Sequence, residues 1–182
     1  MIDTIAGSYS VGKSTLTSLI EKETEGERRI IIPDVARWWL QSKGINSNDM
    51  KDSERNDLQL FVIGSYTGAV KNAVKNSIYS VLDGSHIEAK AYSQGVVSEQ
   101  IMKMLDRQLE EYKKYVTAYV IPPTIALEND GLRHTNKEFR VEIHRRIMQI
   151  IDQFEIPHHI LVSQTPEERL QEFMEKSLTS RK

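Results

Sequence analysis

Gly7-Ser8-Tyr9-Ser10-Val11-Gly12-Lys13-Ser14 fits the pattern G-x-x-x-x-G-K-S at every position. An apolar run, Ile2 to Ala6, leads into it, and Leu16, Leu19 and Ile20 recur at helical spacing beyond it. Strand, glycine turn and helix in that order let a backbone curl its N–H groups around an anion. Glycines permit the curl, and the helix N-terminus adds partial positive charge. Gly7, Ser8, Tyr9, Ser10, Val11, Gly12, Lys13, Ser14 and Thr15 are therefore the candidate nucleotide-phosphate contacts. The Lys13 ammonium has the reach for β- and γ-phosphates, and the Ser14 hydroxyl suits a Mg²⁺ ligand.

Outward from this stretch, apolar runs and helical periodicities alternate. Strands are predicted at Ile2–Ala6, Ile30–Ile32, Tyr79–Leu82, Val116–Ile121 and His159–Val162. Helices are predicted over Lys13–Glu23, Val35–Lys43, Asp52–Asn76, around His86–Tyr92, over Ser98–Lys114, along the face Phe139, Ile143, Ile147, Ile150 and Phe154, and from Pro166 onward. This alternation predicts an α/β fold, a parallel sheet of about five strands covered by helices on both faces. Ligands of such sheets gather at the carboxyl ends of the strands. Gly7, Asp34, Asp83 and Pro122 all fall just beyond predicted strand ends.

With 182 residues, 39% hydrophobic and 27% charged, the chain suits one domain, residues 1–182, with a substantial core. A net charge of -2 gives no whole-protein attraction to polyanions, so a nucleic-acid substrate would need a local basic surface. The absence of cysteine excludes disulfides and thiolate metal sites. The N-terminus lacks the basic and long apolar regions of a signal peptide. The uncharged stretch Ala118 to Leu127 is too short to span a bilayer and contains Pro122 and Pro123. A soluble cytoplasmic protein is expected. His134, His158 and His159 lack the spacing of a zincin site, so no transition metal is expected.

A small GTPase is excluded: no Asp has Gly three residues later, and Asn136-Lys137-Glu138-Phe139 lacks the Asp of a guanine reader. A motor ATPase or AAA machine usually needs a longer chain and a strand ending Asp-Glu, whereas the comparable strand here ends Leu82-Asp83-Gly84. If a helix begins at Pro33, then Asp34, Arg37 and Trp38 share one face. A carboxylate there could accept a proton from an attacking hydroxyl, an arginine could bind an anionic oxygen, and an indole could stack on a base. The alternative reading is a helix cap, a solvated arginine and a core tryptophan. Asp83 suits either a Mg²⁺ contact through water, the base role in place of Asp34, or an Asp-Gly turn.

With these residues in place, the chain resembles the compact P-loop kinases typified by bacterial nicotinamide riboside kinase and its phage-encoded relatives, which include deoxynucleoside monophosphate kinases. The resemblance is carried by Gly7 to Ser14, by Pro33-Asp34-Val35-Ala36-Arg37, by Val81-Leu82-Asp83-Gly84-Ser85 and by Asp130-Gly131-Leu132-Arg133. It implies ATP and Mg²⁺ as cofactors, a nucleoside or nucleotide acceptor, and a lid near Asn129 to Asn136 with Arg133 over the transferred phosphate. Lys13, Asp34, Asp83 and Arg133 are the catalytic candidates. One departure stands out: where relatives often carry arginine after the strand-end aspartate, this chain has Gly84.

Arg133, Lys137, Arg140, Arg145 and Arg146 form the densest cationic region, and of the last three Arg140 is the candidate substrate contact. Gln59, on the long helix, could read a base edge with its amide. The expected activity is phosphorylation of a nucleoside or deoxynucleoside monophosphate. Two alternatives stand beside it, a kinase acting on a polynucleotide end or a hydroxymethylated base in phage DNA, and a nucleotide-binding regulatory ATPase. The acceptor and the oligomeric state are left open by the sequence.

Overall fold

A computed structural model describes residues 1–124 and 136–179. Five strands, β1 (Ile2–Ala6), β2 (Arg29–Ile32), β3 (Tyr79–Asp83), β4 (Val116–Val120) and β5 (His158–Ile160), form one sheet in the order β2-β3-β1-β4-β5. Every pairing is parallel. The described helices are α1 (Lys13–Glu23), α2 (Val35–Lys43), α3 (Asp52–Asn76), α4 (His86–Ser93), α5 (Glu99–Tyr112), α6 (Lys137–Gln153) and α7 (Pro166–Thr179). A 3₁₀ turn, Lys113–Tyr115, closes α5 where the sequence predicts a longer helix.

The α/β class and the strand order of elements agree with the sequence pattern; the differences lie at ends. β3 gains Asp83, β5 starts at His158 and stops at Ile160, and β4 stops at Val120. Strand ends of this kind are set by the last ladder bond rather than by hydropathy. Ile121 N–H still reaches the Ala6 carbonyl at 2.8 Å, and Leu161 N–H reaches Val120 at 2.9 Å. Helix α2 spans Val35–Lys43, the range that the sequence predicts, and the Asp34 side chain accepts the Arg37 N–H at 2.9 Å and so takes the cap position, leaving Pro33 outside the helix. Gly44, at φ 63, closes the same helix in the left-handed conformation that glycine tolerates. No helix among the described residues is long and apolar enough to cross a membrane.

Register assigns each strand residue to a face. Thr4 lies beside Leu82 and Ala118, and Ile5 lies beside Asp83 and Tyr119. Leu82, with Ile2, packs into a core built from α2, α3, α4 and α5, while Ala118 and Val120 pack with Ile143, Ile147 and Ile150 of α6. On the opposite face Ile5, Val81, Tyr119 and Ile121 meet Leu16 and Ile20 of α1 and Phe173 of α7. Asp3 is buried on that side and accepts the Tyr79 and Ser177 hydroxyls at 2.7 and 2.6 Å, which satisfies a carboxylate that would otherwise be costly.

Phe173 is fully buried and sits edge-on to Tyr119, with centroids 4.8 Å apart. Phe173→Ala should cost about 3–5 kcal/mol of stability, since both the transferred area and the residual cavity count against the fold. Urea unfolding checks this; a loss below about 1 kcal/mol would show that α7 does not close the α1 face of the sheet.

Candidate active site

The phosphate loop spans the end of β1 and the start of α1, and its glycines are required by space as well as by conformation. A Cβ on Gly7 would stand 2.8 Å from the Ile121 carbonyl oxygen, so β4's continuation leaves no room for a side chain. Gly12, at φ 89, caps α1 in the left-handed region. Ser10 adopts φ 54, a conformation L-residues rarely hold. Lys13 folds back so that its Nζ donates to the Gly7 and Ser8 carbonyls, each at 2.9 Å.

Because Asp83 pairs beside Ile5, its carboxylate emerges on the α1 side of the sheet. There it accepts the Ser14 hydroxyl at 2.5 Å. A hydroxyl and a carboxylate side by side at a phosphate loop fit Mg²⁺, which keeps several waters and takes one or two carboxylates plus phosphate oxygens. Among the described residues no group of three or more His, Asp and Glu could hold a metal without such help. Ser14 and Asp83 are thus the pair that could hold Mg²⁺.

Beside the loop opens a cavity of about 860 Å³, within the range of small-molecule sites. Lys13, Asp34, Gln59, Asp83 and Glu88 line it, with apolar walls from Leu40, Met50, Leu58 and Val62. Gln59 is 8% exposed, and its Oε1 has no hydrogen-bond partner within the protein, leaving an acceptor on the cavity wall. Asp34 both caps α2 and faces the cavity; a carboxylate has lone pairs enough for both.

The α2 segment contributes Asp34, Ala36 and Leu40 to the wall, not Arg37 and Trp38. Trp38 is 59% exposed and stacks on Phe61 at 5.6 Å and 19°, while Trp39, 8% exposed, is the tryptophan of the core. Arg140 is buried too, and its Nη2 donates to the Ser10 carbonyl at 3.0 Å, behind the loop rather than in the cavity. Arg133, and all of the expected lid except Asn136, lie outside the described residues.

Glu88 is the site residue that sequence reasoning missed. Its carboxylate accepts the Gly7 N–H at 3.1 Å and the Ser85 hydroxyl at 3.0 Å. Burial pushes its pKa up to about 7 against the opposing pull of Lys13. The available signal, Ser85-x-x-Glu88, reads as an ordinary helix-capping pattern.

Gly84 also has a physical reason. At φ 83, a Cβ there would lie 2.9 Å from the Tyr66 hydroxyl, which donates to the Asp83 carbonyl at 2.7 Å. An arginine at this position would meet both a left-handed backbone and an occupied space.

The fold occurs in solved structures of phosphate-loop kinases. The chain superposes on NadR protein in complex with NR with a TM-score of 0.66 and 19% identity, covering 90% of this chain and 46% of that one. Thymidylate kinase from Ehrlichia chaffeensis gives 0.64 and 14%, covering 96% and 97%. Deoxyadenosine kinase from M. mycoides, with products dCMP and a flexible dCDP bound, gives 0.62 and 14%, covering all of both chains. The chain therefore spans under half of the NadR chain but the full length of the smaller kinases. No curated protein matches the sequence. A family model described as an AAA domain matches residues 4–169, even though β3 ends in Asp83-Gly84 without the Asp-Glu expected of AAA machines. The architecture is that of the P-loop kinases, and with nearly its whole length matched the chain belongs to this AAA-domain family.

Proposed function

We propose that the protein is an ATP- and Mg²⁺-dependent kinase that phosphorylates a hydroxyl of a nucleoside-like acceptor. The observation that carries this reading is the shared cavity: Lys13 of the phosphate loop, the Asp34 carboxylate and the unpartnered Gln59 amide oxygen all line it. ATP phosphates would lie in the loop, with Lys13 on the β- and γ-oxygens. Mg²⁺, when bound at Ser14 and Asp83, would offset phosphate charge. The acceptor hydroxyl attacks the γ-phosphorus, the bond to the β-phosphate oxygen breaks, and the hydroxyl proton passes to Asp34. Gln59 offers one acceptor and two donors, enough to orient a base edge against the apolar wall.

A hydroxyl acceptor is favoured over a monophosphate by the charge of the wall. Asp34, Asp52 and Asp83 face the cavity against Lys13 and Arg55 among the described residues, while burial favours the neutral form of Glu88. Lys13 is committed to ATP, and Gly84 supplies no cation. A second anionic phosphate would therefore meet more negative than positive charge. The presence of both Asp34 and Asp83 beside Lys13 also supports catalysis over a purely regulatory nucleotide switch.

A transfer screen with labelled ATP over nucleosides, nucleoside monophosphates and DNA tests the reading. Nucleosides should accept label fastest; preferential labelling of monophosphates or of DNA would overturn the acceptor assignment. In the same assay Lys13→Ala should lower transfer by at least about 10²-fold with melting retained. Asp34→Asn keeps a competent helix cap, so it should leave ATP affinity little changed while slowing the chemical step about 10²–10⁴-fold. Transfer at wild-type rate by Asp34→Asn would remove Asp34 from the chemistry.

Glu88 adds a pH signature. Its folded pKa of about 7 lies above the ordinary 4.5, so the folded state holds this proton more tightly than the unfolded chain. The corresponding stability is fully present below about pH 4.5 and is lost as pH rises through about 7, by up to about 3 kcal/mol. Glu88→Gln keeps an acceptor for the Gly7 N–H and has no such titration. Its stability relative to wild type should rise between about pH 5 and pH 8 in urea unfolding. A pH-independent difference would contradict the burial of an ionisable Glu88 beside the loop.

A further inference from the structure

Two arginines distant in sequence reach the phosphate loop by its carbonyls. Arg140, in the first turn of α6, donates from Nη2 to the Ser10 oxygen at 3.0 Å. Arg169, on α7, donates from Nη1 to the Val11 oxygen at 3.4 Å and from Nη2 to the Ser163 oxygen at 2.9 Å. The two residues are 4% and 2% exposed. A guanidinium keeps its charge in such surroundings, although burial lowers both pKa values. The same turn of α6 is joined to the loop again, since the Tyr9 hydroxyl donates to the Asn136 carbonyl.

The consequence lies in the peptide planes. In a trans peptide the C=O and the following N–H point in opposite directions. Holding the Ser10 and Val11 oxygens toward α6 and α7 turns the Val11 and Gly12 N–H groups the other way. Ser10 additionally sits at φ 54, which an L-residue populates roughly tenfold less readily than glycine would. The chain thus uses serine where the loop needs a left-handed residue, and a buried guanidinium grips that residue's carbonyl.

We propose that Arg140 and Arg169 are positioning residues of the nucleotide site. They fix the Ser10–Val11 and Val11–Gly12 peptides so that the Val11 and Gly12 N–H groups face the bound phosphates, and Arg140 holds Ser10 in its left-handed conformation. This rests on the nucleotide-binding reading above and moves Arg140 from the acceptor to the loop. The arrangement is a substitute for glycine at position 10, so glycine there should make Arg140 dispensable for phosphate binding.

The test is ADP binding by calorimetry with the full chain, alongside circular dichroism of each variant. Arg140→Met should weaken ADP binding about tenfold. In a double-mutant cycle the loss caused by Arg140→Met should shrink to within about threefold when position 10 is already glycine, each variant being compared with its own Arg140 parent. A merely structural arginine would give no such rescue, because Ser10→Gly restores no packing. If Arg140→Met does not fold, Arg140→Lys serves in its place, keeping the charge but not the planar fork; it should weaken binding several-fold, with the same rescue. Unchanged ADP affinity in the arginine variant, or a loss as large with glycine at position 10 as with serine, overturns the proposal while leaving the kinase reading intact. A wild-type chain that binds neither ADP nor ATP overturns the nucleotide reading itself, and the positioning role falls with it.

Discussion

The contact between the Ser14 hydroxyl and the Asp83 carboxylate, 2.5 Å long, is where the sheet register and the phosphate loop meet. Ser14 is placed by the first turn of α1, which Gly12 can cap only by turning left-handed. Asp83 is placed by the pairing of β3 with β1, which sets Asp83 beside Ile5 on the α1 face. A slip of one residue in that pairing would carry Asp83 to the opposite face and leave Ser14 facing an apolar strand. The parallel order β2-β3-β1-β4-β5 thus does more than bury a core: it brings a hydroxyl and a carboxylate from residues 69 positions apart to one point.

Around that point the protein concentrates buried charge. Lys13, Asp83, Glu88, Arg140 and Arg169 are all buried within reach of a single loop. Each is compensated by named backbone or side-chain partners: Lys13 by the Gly7 and Ser8 carbonyls, Asp83 by the Ser14 hydroxyl, Glu88 by the Gly7 N–H, Arg140 by the Ser10 carbonyl and Arg169 by the Val11 carbonyl. Much of the hydrogen bonding that would otherwise stabilise a quiet interior is therefore spent on shaping one turn. Desolvated polar groups interact strongly, so this turn is stiff where a solvated loop would be soft. Preorganisation of that kind suits phosphoryl transfer, in which positioning and charge stabilisation supply nearly all the catalysis.

Most of the fold is legible from the sequence because its signals are local. The Asp52–Asn76 helix carries apolar residues at three- and four-residue steps from Leu58 to Val74, and the strand-glycine-lysine order of the loop fixes both flanking elements. Asp34, Asp83 and Gln59 are legible as cavity residues because each lies on an element whose inward face the pattern reveals. Arg37 and Trp38 stand off the cavity wall, and hydropathy cannot tell which of two adjacent tryptophans is buried. Glu88 and Arg140 are hidden for another reason. Both sit among charged or capping residues whose default reading is a solvated helix face, and only the packing of α4 and α6 against the loop takes them out of water.

The Tyr66 hydroxyl beside Gly84 has a consequence for how this site can change over evolutionary time. Tyr66 belongs to α3 and Gly84 follows β3, yet each limits what the other can become. A larger residue at 84 collides with the phenol, and loss of the phenol alone removes a donor from the buried Asp83 carbonyl. Neither single step is neutral, so a route from this sequence to one with a cation after the strand-end aspartate has to pass through a less stable intermediate. The two positions are therefore coupled, and a bulkier side chain after the strand-end aspartate calls for a change at both.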